Sequence, residues 1–210
     1  MSDPKSAFAQ ALKASPEAIS AFIAVPIGVA GQADALWLGS HVVSGEPRSW
    51  AIAACGARPC PGKPLSLPSA SELAVAALVD LQGAPFKLDL RQIPKDPARA
   101  QPLPQKPRSP ALLVRARHKL DSGELRDTLV LISTAKSPKI LLQEPSSSTM
   151  PDGGGFQSLE LGFAKPARGA MLELALLQHS LPARGQQPFS PGPPLTLQFT
   201  HRQGAYQRVR

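Results

Sequence analysis

The sequence contains no asparagine and few aromatic residues. Of its 210 residues none is Asn, and the aromatics are seven Phe, two Trp and one Tyr. Without Asn the chain has no Asn-x-Ser/Thr site for N-glycosylation, and its turns must be built from Gly, Pro, Asp and Ser. With so few rings for the whole chain, we expect the aromatics that are present mainly to fill the core.

Long hydrophobic runs are also missing. No segment reaches the roughly 18 consecutive apolar residues that a membrane-spanning helix needs, so no membrane span is expected. The nearest run, residues 18–30, is interrupted by Ser20 and Pro26. We expect it to be part of the fold; the alternative is the apolar part of a signal peptide, with Gly28-Val29-Ala30 as a small-residue cleavage site.

Charged residues are scarce and mostly basic. They make up 18% of the chain against 42% hydrophobic residues, a balance that excludes the highly charged disordered class. The formal net charge of +8 favours anionic surfaces but names no partner. The residues available for an anion are Arg108, Arg115, Arg117, Lys119, Arg202 and Arg208. Because nucleic-acid readers usually add exposed aromatics, solvated faces are the favoured interpretation and a basic polymer-binding protein is the alternative.

Two cysteines stand five residues apart, Cys55-Gly-Ala-Arg-Pro-Cys60. The intervening residues include Gly56 and Pro59 and can bend enough to bring the two Cβ atoms to the ~3.8 Å that a disulfide requires. A disulfide indicates an exported protein, periplasmic or secreted, whereas free thiols would indicate the cytoplasm. Two thiols without a paired-histidine motif do not support a zinc site, so no metal or other cofactor is expected.

Alternating apolar and polar residues predict strands, most clearly in the C-terminal half. In residues 112–119, Leu112, Val114 and Ala116 face the core while Leu113, Arg115, Arg117 and Lys119 face water. Residues 125–134 are apolar on both faces, which predicts a central strand. Further strands are predicted at 34–43, 50–54, 86–91, 157–163, 171–178, 195–200 and 205–209.

The fold expected from this pattern is mainly β: an antiparallel meander of hairpins forming a sandwich or barrel, with an incomplete propeller as the alternative. A helical segment is expected at 1–25 and a single β-rich domain at 26–210. Residues 69–81 suit a helix or a strand paired with 86–90, and we favour the strand. A polar loop is predicted at residues 144–155. The Pro-rich stretch 94–110 is a loop, or a linker between halves 26–93 and 111–210.

The last residues, Leu195-Thr-Leu-Gln-Phe-Thr-His-Arg-Gln-Gly-Ala-Tyr-Gln-Arg-Val209, form a strand, a Gly-containing turn and a Tyr-x-x-Val ending. This stretch resembles the closing hairpin of uncharacterised exported bacterial β-rich proteins. The resemblance implies an all-β domain and export, and it supplies no functional residues. The Ala, Arg, Pro and Leu bias suggests a GC-rich bacterial coding sequence.

Motifs for enzymatic chemistry are absent from the sequence. There is no Gly-x-Ser-x-Gly elbow and no His-Glu-x-x-His helix, and Pro64 stands where a phosphate loop needs a hydroxyl. The four histidines lie near predicted strand ends, and His179 and His201 would meet if their strands pair. Asp121, Glu124 and Asp127 lie beside a turn and are expected to neutralise the arginines across the hairpin, Arg115, Arg117 and Arg126.

The candidate ligand site is formed by Trp37, Trp50 and Arg58, near the cysteine loop. Filling the core is the simpler role for the two tryptophan rings. The sequence therefore predicts an exported, non-enzymatic binding or structural module whose protein or polymer partner is unknown. A nucleic-acid or anionic-polymer binding protein is the first alternative. A hydrolase whose catalytic groups leave no sequence motif is the second.

Overall fold

The computed structural model describes residues 3–93, 107–166, 171–185 and 192–209. The predicted mainly β fold is confirmed. The chain begins with helix α1 (Pro4–Ala11), and short 3-10 turns lie at Pro16–Ala18 and Leu90–Gln92. The strands are β1 (Ile19–Pro26), β2 (Ala35–Val43), β3 (Glu46–Cys55), β4 (Arg58–Pro59), β5 (Leu65–Leu67), β6 (Glu72–Asp80), β7 (Phe86–Asp89), β8 (Pro110–Lys119), β9 (Leu125–Ser133), β10 (Ile140–Thr149), β11 (Gly155–Ala164), β12 (Glu173–Leu181), β13 (Leu195–Arg202) and β14 (Ala205–Arg208).

Helix α1 starts where the sequence provides a cap. The carboxylate of Asp3 accepts a hydrogen bond from the backbone N–H of Ser6 at 3.1 Å, and Pro4 occupies the first turn. The helical segment is shorter than the predicted 1–25, because the β-branched and aromatic run Ile19–Pro26 forms β1 against β2. No helix in the described ranges has the length and apolar character to cross a bilayer.

The strands form two antiparallel sheets. The first has the order β1-β2-β3-β4, with β5 also pairing with β3. The second has the order β14-β13-β12-β11-β10-β9-β8-β6, and β7 pairs with β11. Residues 69–81 contain a strand as favoured, but β6 pairs with β8 instead of β7. Strands from 26–93 thus share a sheet with strands from 111–210; of the Pro-rich stretch, residues 94–106 lie outside the described ranges.

Three apolar clusters show how these elements are layered. Leu36 and Leu38 of the first sheet pack with Val114 and Ile132 of β8 and β9. The opposite face of β8 and β9 packs against β11, β12 and β13, in a cluster that includes Leu113, Leu131, Leu161, Leu174 and Leu197. On the outer face of the first sheet, Phe8 of α1 covers Trp37 and Ile52. The described chain is therefore a stack of four layers: helix α1, the first sheet, the middle strands β8 and β9, and the outer strands β11, β12 and β13.

The middle strands test the predicted burial directly. Residues Leu129, Val130, Leu131 and Ile132 are all at most 1% exposed, so the doubly covered strand is confirmed. The prediction for β8 was half right: its Leu112 face is buried, but the opposite face is covered too. Leu113 is 0% exposed and the Arg115 side chain only 17% exposed, because the outer strands lie over them.

Strand β10 replaces much of the predicted polar loop at 144–155. It pairs with β9 along its length, with register irregularities between Ile140 and Leu142 and between Pro145 and Ser147. Proline removes a backbone donor and is tolerated in strands at such irregularities, which is why this segment does not show regular alternation. The turn itself is confined to residues 150–154.

Candidate functional site

The β10–β11 hairpin separates part of the way along its length. The two strands pair only where Ser147–Thr149 meets Gly155–Gln157. Beyond that point β10 stays with β9, while β11 pairs with β7 from Glu160 to Phe163. Each strand has a bulge near the separation, between Pro145 and Ser147 in β10 and between Ser158 and Glu160 in β11. Bulges bend strands and redirect side chains, and here they flank an opening.

The opening is a cleft of about 220 Å³, called here the hairpin cleft. Its charged lining residues are Arg91, Arg115, Arg117 and Asp127. Polar side chains are supplied by Ser146, Ser147, Gln157 and Ser158, and apolar ones by Leu90, Ile93 and Leu129.

The sequence of the middle strands explains why charged groups gather there. Along the inner face of β8 the series runs Leu113, Arg115, Arg117. In the facing series of β9, Leu129 is the partner of Arg115 and Asp127 is the partner of Arg117. The space between the layers therefore changes from apolar to charged at the same level on both strands, and the hairpin cleft lies at the charged end.

One ion pair is fixed in the wall of the cleft. Arg117 donates from Nε and Nη2 to the two carboxylate oxygens of Asp127, at 2.7 and 2.8 Å. Hydrogen bonding to Asp127 raises the pKa of Arg117. Ser146 donates from Oγ to the Asp127 carbonyl oxygen at 3.2 Å. The expected neutralisation across the hairpin is confirmed for Arg117 with Asp127 at 2.7 Å. Arg126 instead pairs at 2.7 Å with Glu124, two residues before it, and Arg115 lies 3.9 Å from Glu72.

Two buried polar atoms of the cleft have no hydrogen-bond partner within the described chain: Arg115 Nε and Ser158 Oγ. Ser158 is 4% exposed, and within the described ranges the ion pair of Arg115 is the long contact with Glu72. Leaving a buried donor unsatisfied costs about 1–3 kcal/mol, and more for a charged group. Five buried side-chain atoms of the described chain lack a partner, and the hairpin cleft contains these two of them.

In the predicted strand 157–163, strict alternation sets Leu159, Leu161 and Phe163 on one face and Ser158 on the opposite face. The bulge after Ser158 breaks that alternation, and the structure buries Ser158 while Leu159 is half-buried. Ser146 and Ser158 were therefore missed as site residues. The only sequence signal is Pro145 followed by three serines in a strand-length segment, a combination typical of a bulge.

The structure brings together two of the six basic residues proposed from the sequence. Arg115 and Arg117 line the hairpin cleft. Arg108 precedes β8, where its backbone N–H donates to Asp80 Oδ2 at 3.2 Å. Lys119 ends β8, and Arg202 and Arg208 lie on the terminal hairpin; all three are exposed.

The aromatic site proposed near the cysteines is not assembled. Trp37 is 2% exposed in the core beneath α1, with its ring centroid 6.4 Å from that of Phe22. Trp50 is half-buried and stacks with His41, with 6.4 Å between centroids. Arg58 is exposed in β4. Trp37 therefore fills core space.

The histidines do not converge. Strands β12 and β13 do pair, which was the condition for His179 and His201 to meet. In the observed register, however, Gln178 is opposite Leu195 and Leu174 is opposite Phe199. The two histidines consequently lie at opposite ends of that pair. The described ranges contain no cluster of three or more His, Cys, Asp or Glu side chains suited to a metal ion.

The predicted disulfide between Cys55 and Cys60 is confirmed. It closes the tight β3–β4 turn, where the Gly56 N–H donates to the Asp34 carboxylate at 2.5 Å and Cys60 is 6% exposed. The bridge lies on the first sheet, outside the lining of the hairpin cleft.

The fold and the cleft define a layered antiparallel β protein with a basic cleft in a separated hairpin. No family model matches the chain, and neither the curated proteins nor the solved structures include a match.

Proposed function

We propose that this chain is an exported, non-enzymatic binding module that holds a small anionic ligand in the hairpin cleft. The observation that carries the proposal is the pair of unpartnered buried atoms, Arg115 Nε and Ser158 Oγ. Both can donate to oxygen atoms, and a bound anion would satisfy both.

The charge distribution supports an anion. Arg117 is paired with Asp127, and Arg91 is paired with Asp89 at 2.7 Å. The Arg115 guanidinium is left with one acid at 3.9 Å, so a positive charge remains in a mostly covered position. Hydrogen bonds from a guanidinium to an anionic oxygen are short and about twice as strong as neutral ones.

The same geometry favours binding over turnover. Both carboxylate oxygens of Asp127 accept from Arg117, which leaves this group poorly placed to accept a proton. Within the part of the chain that the structure describes, the Ser158 hydroxyl has no hydrogen-bond partner, so no base there activates it. The residues that line the cleft are suited to holding an oxyanion.

Replacing Arg115 with glutamine is expected to weaken anion binding by roughly ten- to a hundredfold, because a charged hydrogen bond is worth about 1.5–3 kcal/mol. Isothermal titration with acetate, valerate, sulfate and phosphate at constant ionic strength measures the effect. Arg126→Gln is the matched control, since Arg126 binds Glu124 outside the cleft. The proposal is wrong if no anion binds, or if the control loses as much affinity. Retention on heparin that is unaffected by Arg115→Gln would favour the anionic-polymer alternative.

Export is supported by the disulfide, because such bonds persist in oxidising compartments. Protein recovered from its native compartment is expected to change mass on reduction, and cell fractionation should place it outside the cytoplasm. The double variant Cys55→Ala/Cys60→Ala should lose only about 2–3 kcal/mol of stability, because the closed loop is short. Free thiols in protein trapped at lysis would remove the support for export.

A further inference from the structure

We infer that the ligand of the hairpin cleft is a monocarboxylate with a short aliphatic arm. The inference rests on the proposed function and adds the chemical class of the ligand. Three features of the cleft lead to it: its net charge, its free donors and its apolar lining.

The charges lining the cleft suit a single negative charge. Asp127 is 8% exposed and lines the same cleft as Arg115, and Arg117 already neutralises it. Arg91 pairs with Asp89, so Arg115, which lies 3.9 Å from its acid Glu72, is the lining cation without a close acid, and a monoanion suits it. A dianion such as hydrogen phosphate brings a second charge close to the Asp127 carboxylate in a poorly hydrated space, where repulsion is strong.

The free donors suit two oxygens. Arg115 Nε and Ser158 Oγ come from two different strands, β8 and β11, and have no partner within the described chain. A carboxylate has two oxygens, one for each donor. Phosphate and sulfate each have four oxygens, so two of them would not be met by these two buried donors, and burying an oxygen without a donor is costly.

The apolar lining suits an aliphatic arm. Leu90 is 6% exposed and Leu129 is 1% exposed, and together with the half-buried Ile93 they line the cleft beside the arginines. A volume of about 220 Å³ is on the order of several water-sized groups, the size of a short-chain acid such as valerate.

The inference is tested by titrating the full chain with acetate, butyrate, valerate and phosphate at constant ionic strength. Affinity is expected to rise about fourfold for each added methylene, which is the burial of one CH₂ expressed as a binding ratio. Phosphate is expected to bind at least about tenfold more weakly than valerate, since one unpaired buried oxygen costs that much. Stronger phosphate binding, or affinity independent of chain length, would overturn the inference while leaving anion binding intact. Absence of binding by every anion would remove the proposed function as well.

Two variants locate the ligand within the cleft. Ser158→Ala should reduce affinity for every carboxylate, yet the free protein should be at least as stable as the wild type, because an unpaired buried hydroxyl is removed. Leu90→Ala should leave acetate binding in place and reduce the gain from each methylene. Leu67→Ala is its control, since Leu67 is 7% exposed and packs in the other core. An unchanged chain-length gain in Leu90→Ala, or an equal reduction in Leu67→Ala, would contradict the assignment.

Discussion

Replacing Phe8 with alanine is expected to lower the free energy of unfolding by about 3–5 kcal/mol, the range for a fully buried phenylalanine. Phe8 is 0% exposed and packs edge to face with Phe22, with 5.5 Å between ring centroids. An eight-residue helix is too short to be stable alone in water, so α1 depends on this packing. Chemical denaturation measures the loss, and Gln10→Ala on the exposed side of the same helix should change stability little.

Gly39 provides a second measurement of the same contact. A Cβ added at Gly39 would lie 2.5 Å from Cε1 of Phe8 and 2.9 Å from the Ala21 carbonyl oxygen. Gly39→Ala should therefore destabilise the wild type and cost less in the Phe8→Ala background, where the close approach to the Ala21 carbonyl oxygen remains. Additive effects in this double-mutant cycle would show that the ring and the glycine do not interact.

Gly155→Ala is expected to destabilise the protein by about 2–4 kcal/mol, combining backbone strain with a steric clash. Gly155 has φ of +138°, and an added Cβ would overlap with the carbonyl oxygen of Ser148 across the hairpin. Because this is the paired end of β10 and β11, the change should also weaken anion binding in the cleft. Denaturation and titration of one preparation test both effects.

Gly153→Ala is the control for that variant. Gly153 also has a positive φ, +91°, but the nearest atom to an added Cβ, Arg184 Cγ, is 3.7 Å away. Its cost should be limited to about 1 kcal/mol of backbone strain. Equal losses in the two variants would show that the approach to Ser148 is not the cause.

The features that the sequence predicted depend on local patterns. Period-two alternation located β11, β12 and the terminal hairpin. The apolar residues on both faces of β9 identified it as a strand covered on both sides. The five-residue spacing of Cys55 and Cys60 favoured the bridge over free thiols, since the loop between them contains a flexible glycine.

The features that it did not predict depend on distant partners. Alternation shows that Arg115 and Leu113 share a face, but not that β11 and β12 cover it. The bulges that bury Ser158 and Ser146 interrupt the pattern on which the prediction relied. The pairing of β6 with β8 and of β7 with β11 joins segments separated by the Pro-rich stretch. The hairpin cleft results from these three features. The sequence therefore predicted two of its arginines as anion-binding residues but not the cleft that contains them.

The two middle strands serve both large cores at once. If the first sheet detached, Val114 and Ile132 would be exposed to solvent, and if the outer strands detached, Leu113 and Leu131 would be. Each partial opening thus exposes apolar surface on the strands that remain, and the free-energy cost of that exposure opposes stepwise unfolding. We therefore expect the layers to be lost cooperatively, and neither sheet to survive as a separately expressed fragment.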